Sequence, residues 1–382
     1  MKSLKFYALK SSHPSMKIMT NALINLPTPS NISFLWNMPS LSSLCMINQI
    51  LTSLPLSMNY VPSIEWAFDK VNHIYRNVNL GWLIRSLHSN GASLFKIILY
   101  LQVGRGIYYE SFMFTSTLLV GKASLLLMMM TAFMGYVMPW GQMLNWSAKV
   151  ITNILSLITY LGTNLVQWIW KEFSVNNATL NRLIMFHFVF PMIILAFSMI
   201  HLMFLLETKS SNPLSINNNI DKIHFHPFFS FKDLIGFFLM IIILMFISLY
   251  KPFMLSVPDI FIPANPMVTP IHIQPEWYFL FAYAILSSIH NKLVSVIALL
   301  MSILILFIMP FLKKKYIQSN SFFYLNKIWF WMFFSIFLIL TWIGSKSIDY
   351  PFVNIGQIMT VFYFSFYLIT PFLNKIWNNL IN

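Results

Sequence analysis

Long apolar runs separated by short polar segments make up most of this sequence. About eight of them approach the roughly 20 residues that a helix needs to cross a bilayer. They cover residues 33–58, 81–100, 114–138, 180–206, 231–250, 293–312, 328–343 and 352–372. The pattern therefore predicts an all-α polytopic membrane protein with about eight transmembrane helices.

Two of these runs carry polar side chains at one shared spacing. His187 and His201 are fourteen positions apart, and His88 is followed by Gln102 at the same interval. Fourteen helical residues return to within roughly 40° of the same face and rise about 21 Å. A single buried histidine is more often a hydrogen-bonded core residue than a ligand, but the shared spacing favours ligands. Two such helices facing each other could hold two haems, one at each depth.

Composition and charge narrow the class of protein. With 58% hydrophobic and 9% charged residues, the chain is not a water-soluble domain. The net charge of +14 comes from lysines between the apolar runs, which indicates contact with lipid headgroups and no nucleic acid partner. Cys45 is the only cysteine, which excludes an internal disulfide, a cysteine-based metal site and covalent haem attachment.

The basic residues also predict an orientation. Their distribution modestly favours an N-terminus on the inner side of the membrane. In that topology the second and fourth runs are parallel, so His88 and His187 lie near the outer surface. Gln102 and His201 then lie near the inner surface, and the proline-rich loop 251–275 is outside.

This loop ends in Pro275-Glu276-Trp277-Tyr278, which places a carboxylate at the membrane surface. One interpretation is a loop acid that makes a local hydrogen bond. The other is a proton acceptor for a hydroquinone, because a hydroquinone must lose protons when it loses electrons. The expected electron acceptor at the same depth favours the second interpretation.

Several further motifs occur in an order that is typical of one family. They are Lys10-Ser11-Ser12-His13-Pro14, Asn90-Gly91-Ala92-Ser93, Val103-Gly104-Arg105-Gly106, Val150-Ile151-Thr152-Asn153, Phe225-His226-Pro227 and the stretches 134–142 and 275–286. Over nearly its whole length the chain resembles the mitochondrial cytochrome b family, the haem-bearing subunits of ubiquinol:cytochrome c oxidoreductase.

The resemblance implies a set of cofactor and substrate residues. The outer haem b ligands fall on His88 and His187, and the inner ones on Gln102 and His201. Arg85 matches an arginine that pairs with a haem propionate, and Gly121 and Gly135 match glycines where helices pass close to haem. Glu276 and Tyr278 match catalytic residues of the outer quinol site, with residues 135–140 and Tyr283 as its walls. Ser210, Lys232 and Asp233 match the inner quinone site.

The resemblance also implies the surroundings of the chain. It predicts a multi-pass protein of the mitochondrial inner membrane with its N-terminus on the matrix side. The partners would be an iron–sulfur protein, cytochrome c1, ubiquinone and membrane lipid, in a homodimeric complex. Residues 1–210 would form the haem-binding four-helix bundle, and residues 211–382 a C-terminal domain with the Pro-Glu-Trp-Tyr loop and about four helices.

The chain departs from the family's pattern mainly in its inner half. Gln102 stands at a haem-ligand position, and an amide oxygen is a poor ligand for haem iron. The other departures are Leu206 in place of an inner-site histidine, Pro39 and Ser53 at glycine positions, and Lys96 and Lys122 inside helices. We therefore hypothesise that the inner half is impaired. Three alternatives are a haem held by His201 alone, a lost inner haem, or a chain that is a degraded copy or contains sequence errors.

The predicted function is electron transfer from ubiquinol through two stacked haems, with quinol oxidised outside, quinone reduced inside and protons moved across the membrane. The first alternative is a divergent subunit with mainly a structural role, which Gln102 favours. A haem-free transporter or channel is the second alternative. It does not explain the paired spacing of fourteen residues.

Overall fold

The structure, a computed structural model, describes residues 13–214, 218–312 and 319–381. These residues contain thirteen α-helices. They are α1 (Pro14–Met19), α2 (Met38–Asn59), α3 (Ala67–Asn77), α4 (Gly81–Tyr108), α5 (Thr115–Val137), α6 (Gln142–Ile154), α7 (Gly162–Trp170), α8 (Asn177–Thr208), α9 (Phe228–Tyr250), α10 (Leu280–Ser288), α11 (Lys292–Leu304), α12 (Tyr324–Ile343) and α13 (Phe352–Ile381).

Shorter helical turns extend or connect these helices. A π-helical turn covers Thr20–Ile24, and 3-10 turns cover Phe34–Asn37, Ser111–Met113, Leu155–Leu157, Pro258–Phe261, Trp277–Phe279, Ile305–Phe307, Met309–Leu312 and Asn320–Phe322. Part of the Lys10–Pro14 motif and several basic residues used for the predicted orientation lie outside the described residues. These basic residues are Lys2, Lys5, Lys10, Lys313, Lys314 and Lys315.

Six described helices are long and apolar enough to cross a membrane, in accord with an all-α polytopic protein. They are α2 with its preceding 3-10 turn, α5, α8, α9, α12 and α13. Helix α4 is long enough at 28 residues, but its buried polar side chains, such as Asn90 and Lys96, lower its hydropathy. Helix α11 reaches Leu312 only through further 3-10 turns. With these two, the count agrees with the prediction of about eight.

The first four long helices pack as two pairs. Helix α2 packs along α4, and α5 packs along α8. The interior of the first pair is an apolar cluster that includes Met38, Leu41, Cys45, Phe95 and Ile98. Outward-facing apolar side chains remain exposed, as a lipid-facing surface requires. Helix α9 packs against α4 and α2, so the predicted domain boundary at residue 210 stays a prediction.

The C-terminal helices have an apolar core of their own. Helices α10, α12 and α13 pack together, and Ala284, Ile285 and Leu340 are completely buried between them. The short helix α10 was not predicted, since its nine residues follow directly on a proline-rich loop and are too few to cross a bilayer. It fixes the end of that loop to the membrane domain.

Two three-residue strands pair outside the helices. Strand β1 (Pro27–Pro29) is antiparallel to β2 (Lys222–His224), with Pro27 opposite His224. The sequence did not predict them, because strands of this length carry no usable periodicity. The pair attaches the segment before α2 to the segment between α8 and α9.

The proline-rich loop 251–275 folds back over α6. The side-chain Nε2 of Gln142 donates to the Val268 carbonyl at 2.6 Å, and its Oε1 accepts from the Asn265 backbone N–H at 2.6 Å. At Gly141 an added Cβ would lie 2.7 Å from the Ile260 carbonyl oxygen, so only glycine allows this approach. The loop and α6 together cover one end of the first bundle.

Candidate functional site

His88 on α4 and His187 on α8 face each other across the bundle. Their ring centroids are 6.3 Å apart, with an interplanar angle of 75°. Nδ1 of His88 is 2.9 Å from the Thr52 hydroxyl, and Nδ1 of His187 is 2.8 Å from the Thr131 carbonyl oxygen. These contacts orient both rings and leave the Nε2 atoms for a shared ligand.

The distance between the rings fits a haem iron. A metal–imidazole bond of about 2 Å on each side, plus about 1.2 Å from each nitrogen to its ring centroid, gives a centroid separation of about 6.4 Å. The observed 6.3 Å agrees with this value. The Nδ1 partners are also of the kind that commonly hold metal-binding histidines in place. The residues at the outer level therefore fit a haem bound by His88 and His187.

Gly135 gives His187 the space that it occupies. A Cβ added at Gly135 would lie 2.4 Å from Cε1 of His187, which no real contact permits. At Gly121, fourteen residues earlier on α5, the corresponding distance to Cε1 of His201 is 3.0 Å. Both glycines thus lie against the two histidines of α8, and the outer position is the tighter one.

A cavity of about 210 Å³ connects the outer histidine pair with the end of the proline-rich loop. Its walls include His88, His187, Arg85, Glu276 and Tyr278. The other walls are mostly apolar, which suits a hydrophobic ring substrate with a few polar groups. The structure therefore places the predicted proton acceptor and the predicted haem ligands around a single space.

Helix α4 holds the segment that carries Glu276. The indole N–H of Trp277 donates to the Ser93 hydroxyl at 3.2 Å, and the Tyr100 hydroxyl donates to the Tyr278 carbonyl. Tyr283, a predicted wall of this site, instead donates its hydroxyl to the Ile273 carbonyl at 3.1 Å. The position of Glu276 therefore depends on the same helix that supplies His88.

The environment of Glu276 suits a proton acceptor. Its carboxyl group is surrounded by protein atoms and open to the cavity, and this burial raises its pKa to about 8. The charges of Arg85 and Lys96 oppose the rise. A carboxylate with a pKa near the working pH is an effective general base.

Lys96 lies in this cavity, a place that the sequence did not reveal. The side chain is 1% exposed, and its Nζ is 5.4 Å from the centroid of the Tyr278 ring. Its sequence position shows only that a cation lies inside a helix. The direction of the side chain depends on how α4 packs against the Glu276 segment, which spacing along one helix does not give.

The inner level of the bundle differs from the outer one. The amide Oε1 of Gln102 accepts a hydrogen bond from the Ser42 hydroxyl at 3.0 Å. Nδ1 of His201 is buried, and no described residue forms a hydrogen bond with it, although the Thr117 carbonyl lies on that side. The residues at this level fit a haem held by His201, and they do not fit one held by two imidazoles.

Of the three residues predicted for the inner quinone site, Lys232 and Asp233 contact the chain around the start of α2, and Ser210 lies in the segment that follows α8. Nζ of Lys232 donates to the Ile32 carbonyl at 3.1 Å, and Asp233 interacts with Ser40. The Ser210 carbonyl accepts from the Asn218 side chain at 3.4 Å. None of the three lines the outer cavity, so their part in quinone binding stays a prediction.

Comparisons with known proteins agree with this geometry. Residues 23–209 match the family model described as cytochrome b/b6/petB, and residues 263–364 match the one described as cytochrome b(C-terminal)/b6/petD. The fold is similar to a solved chain described as hyperthermophilic respiratory Complex III, with a TM-score of 0.90 and 28% identity. That similarity covers 97% of this chain and 98% of the other.

Proposed function

The chain belongs to the cytochrome b family, and from that premise we propose that ubiquinol is oxidised in the cavity between the outer histidine pair and Glu276. The family and the Complex III likeness support the role in electron transfer from a quinol. The main support for this location of quinol oxidation is the cavity itself, which both histidines and Glu276 line. No second carboxylate lines its described walls.

The residues of the chain have separate parts in this reaction. Glu276 accepts a proton from a quinol hydroxyl, and Tyr278 with the apolar walls holds the ring. Thr52 and Thr131 fix the two imidazoles, and Arg85 places a positive charge beside His88 and Glu276. When bound by His88 and His187, haem b supplies the one-electron chemistry that these side chains lack.

At the inner level we propose one haem held by His201, with quinone reduced near Ser210, Lys232 and Asp233. The contact between Ser42 and Gln102 favours a second candidate, in which the inner half has lost its cofactor and the chain keeps mainly a structural role. The two candidates differ in the number of haems per chain.

We also propose a homodimeric complex in the mitochondrial inner membrane, with the N-terminus on the matrix side. The further partners would be an iron–sulfur protein, cytochrome c1 and membrane lipid. The likeness to a respiratory Complex III chain supports assembly with other subunits of such a complex. Cys45 is the only cysteine and is buried, so the iron–sulfur centre that accepts an electron must belong to another subunit.

The first test is Glu276→Gln in the purified complex, with Glu172→Gln at an exposed position as the matched control. Loss of the base should lower the turnover of quinol oxidation by roughly 100-fold. Because the reaction needs ionised Glu276, the activity of the unmodified protein should rise with pH up to about 8. Glu276→Gln should remove that dependence.

The outer haem spectrum must persist in both variants for this comparison to hold. An unchanged turnover in Glu276→Gln would contradict the proposed site. The number of haems per chain, from a reduced-minus-oxidised visible spectrum, then separates the two candidates for the inner level. Two haems support the full electron path, and one haem supports the structural role of the inner half.

A further inference from the structure

Lys96 is a buried cation that the proposed reaction has not used. Only 1% of its surface is exposed, and no described residue forms a hydrogen bond with its Nζ. A buried ammonium without a partner is strongly destabilising. Lys122 is also buried with no hydrogen-bond partner among the described residues, so burial alone does not identify a ligand site; Lys96 differs because its side chain lines the cavity.

The surroundings of Lys96 point into the quinol cavity. Its Nζ lies 5.4 Å from the ring centroid of Tyr278 and 5.8 Å from that of Phe279, and its side chain forms part of the cavity wall. Ser93 and Tyr100, which bond to Trp277 and Tyr278, lie on the same face of α4 one turn before and one turn after it. The Lys96 ammonium is thus held where a ring bound beside Glu276 would meet it.

The charges around Glu276 favour an anion in this space. Arg85 and Lys96 face it from α4, and Tyr136 faces it from the end of α5. Asp259, in the loop that covers the cavity, acts on Tyr136. Arg85 and Lys96 therefore lie beside the single carboxylate that lines the cavity, and Lys96 is the one of the two to which no haem contact is assigned.

We propose that Lys96 binds an oxygen of the quinol ring and stabilises the negative charge that remains there after deprotonation. In this step the quinol O–H bond breaks, and the proton moves to a Glu276 carboxylate oxygen. The electron pair of that bond stays on the ring oxygen, and no electron leaves the ring. This proposal rests on the proposed oxidation of quinol in the same cavity.

The experiment uses the purified complex with Lys96→Met, Lys96→Arg and a control, Lys122→Met. Lys122 is also buried, at 7% exposure, but its Nζ lies 5.1 Å from the Phe307 ring centroid and it does not line the cavity. The oxidation of a short-chain ubiquinol by cytochrome c is measured as kcat and KM across pH.

Lys96→Met should lower kcat/KM by roughly ten- to hundredfold, the usual cost of losing a hydrogen bond to a charged group. The acid limb of the pH profile should also move to higher pH, because removal of a neighbouring positive charge raises the pKa of Glu276. Lys96→Arg should keep the acid limb in place, and Lys122→Met should change neither quantity. A residue that only supported packing would not shift the pH profile.

An unchanged kcat/KM in Lys96→Met would overturn the proposal for Lys96 whether or not the acid limb moves, while a slow Glu276→Gln variant would leave the proposed function intact. If the unmodified complex does not oxidise quinol, the proposed function itself fails. If the haem spectrum shows that Lys96→Met does not assemble, Lys96→Gln takes its place. Lys96→Gln keeps an N–H donor without the charge, so an unmoved acid limb there overturns the proposal equally.

Discussion

The outer and inner halves of the first bundle repeat one design with different results. Threonine, glycine and histidine recur at fourteen-residue intervals, as Thr117 and Thr131, Gly121 and Gly135, and His201 and His187. The outer half has a second histidine, His88, on the facing helix, and Thr52 orients its ring. The inner half has Gln102 in that place, turned towards Ser42. The same backbone spacing thus builds a two-imidazole site at one level and a one-imidazole site at the other.

The largest contrast should come from removing each histidine of α8. His187→Leu should abolish the outer haem signal and lower quinol oxidation by at least 100-fold, since the outer site loses one of its two ligands. His201→Leu should remove the inner signal and leave the outer low-spin spectrum as it is. Haem content per chain and a reduced-minus-oxidised spectrum measure both effects. Loss of the outer spectrum in His201→Leu would show that haem binding at the outer level depends on the inner level, contrary to this prediction.

Gln102→His should convert the inner level into a copy of the outer one. An imidazole at this position supplies the missing ligand, so the low-spin signal should increase by about one haem per chain. Gln102→Leu is the matched control, because it also removes the contact with Ser42 but adds no ligand. If Gln102→His gives no more low-spin haem than Gln102→Leu, the missing ligand does not explain the difference between the halves.

The smallest effect should come from the residues that orient the ligands. Thr52→Val removes the hydroxyl beside Nδ1 of His88 and should weaken outer haem binding by roughly tenfold. Thr117→Val is the inner control, because no described residue forms a hydrogen bond with its hydroxyl. Haem retention during titration with a competing apoprotein measures both variants. Equal losses in the two would show that Thr52 acts through packing alone.

The sequence predicted most of the membrane helices because lipid imposes a strict rule on composition. A helix in lipid must be apolar for about 20 residues, and runs such as 114–138 and 231–250 follow that rule closely. Helix α10 and the pair β1 and β2 do not follow it. Their positions depend on tertiary contacts, such as Tyr100 with Tyr278, that no local pattern contains.

The candidate site was predictable to a similar degree. Helical spacing predicted the offsets from His88 to Gln102 and from His187 to His201, because the rise and the rotation per residue are constant, and the parallel topology predicted that His88 faces His187. It did not give Thr52 as the partner of His88 or the place of Lys96 beside Tyr278. Both depend on how neighbouring helices are rotated about their axes, which is decided by packing across the bundle.

Helix α4 serves two sites at once, and this limits how the chain can change over evolution. His88 lies on the side of α4 that faces His187, and Ser93 and Tyr100 hold the segment that carries Glu276. One residue inserted between His88 and Ser93 would turn the two groups about 100° apart and shift them by about 1.5 Å. Substitutions in this interval are tolerable where packing allows, but its length is not free to vary.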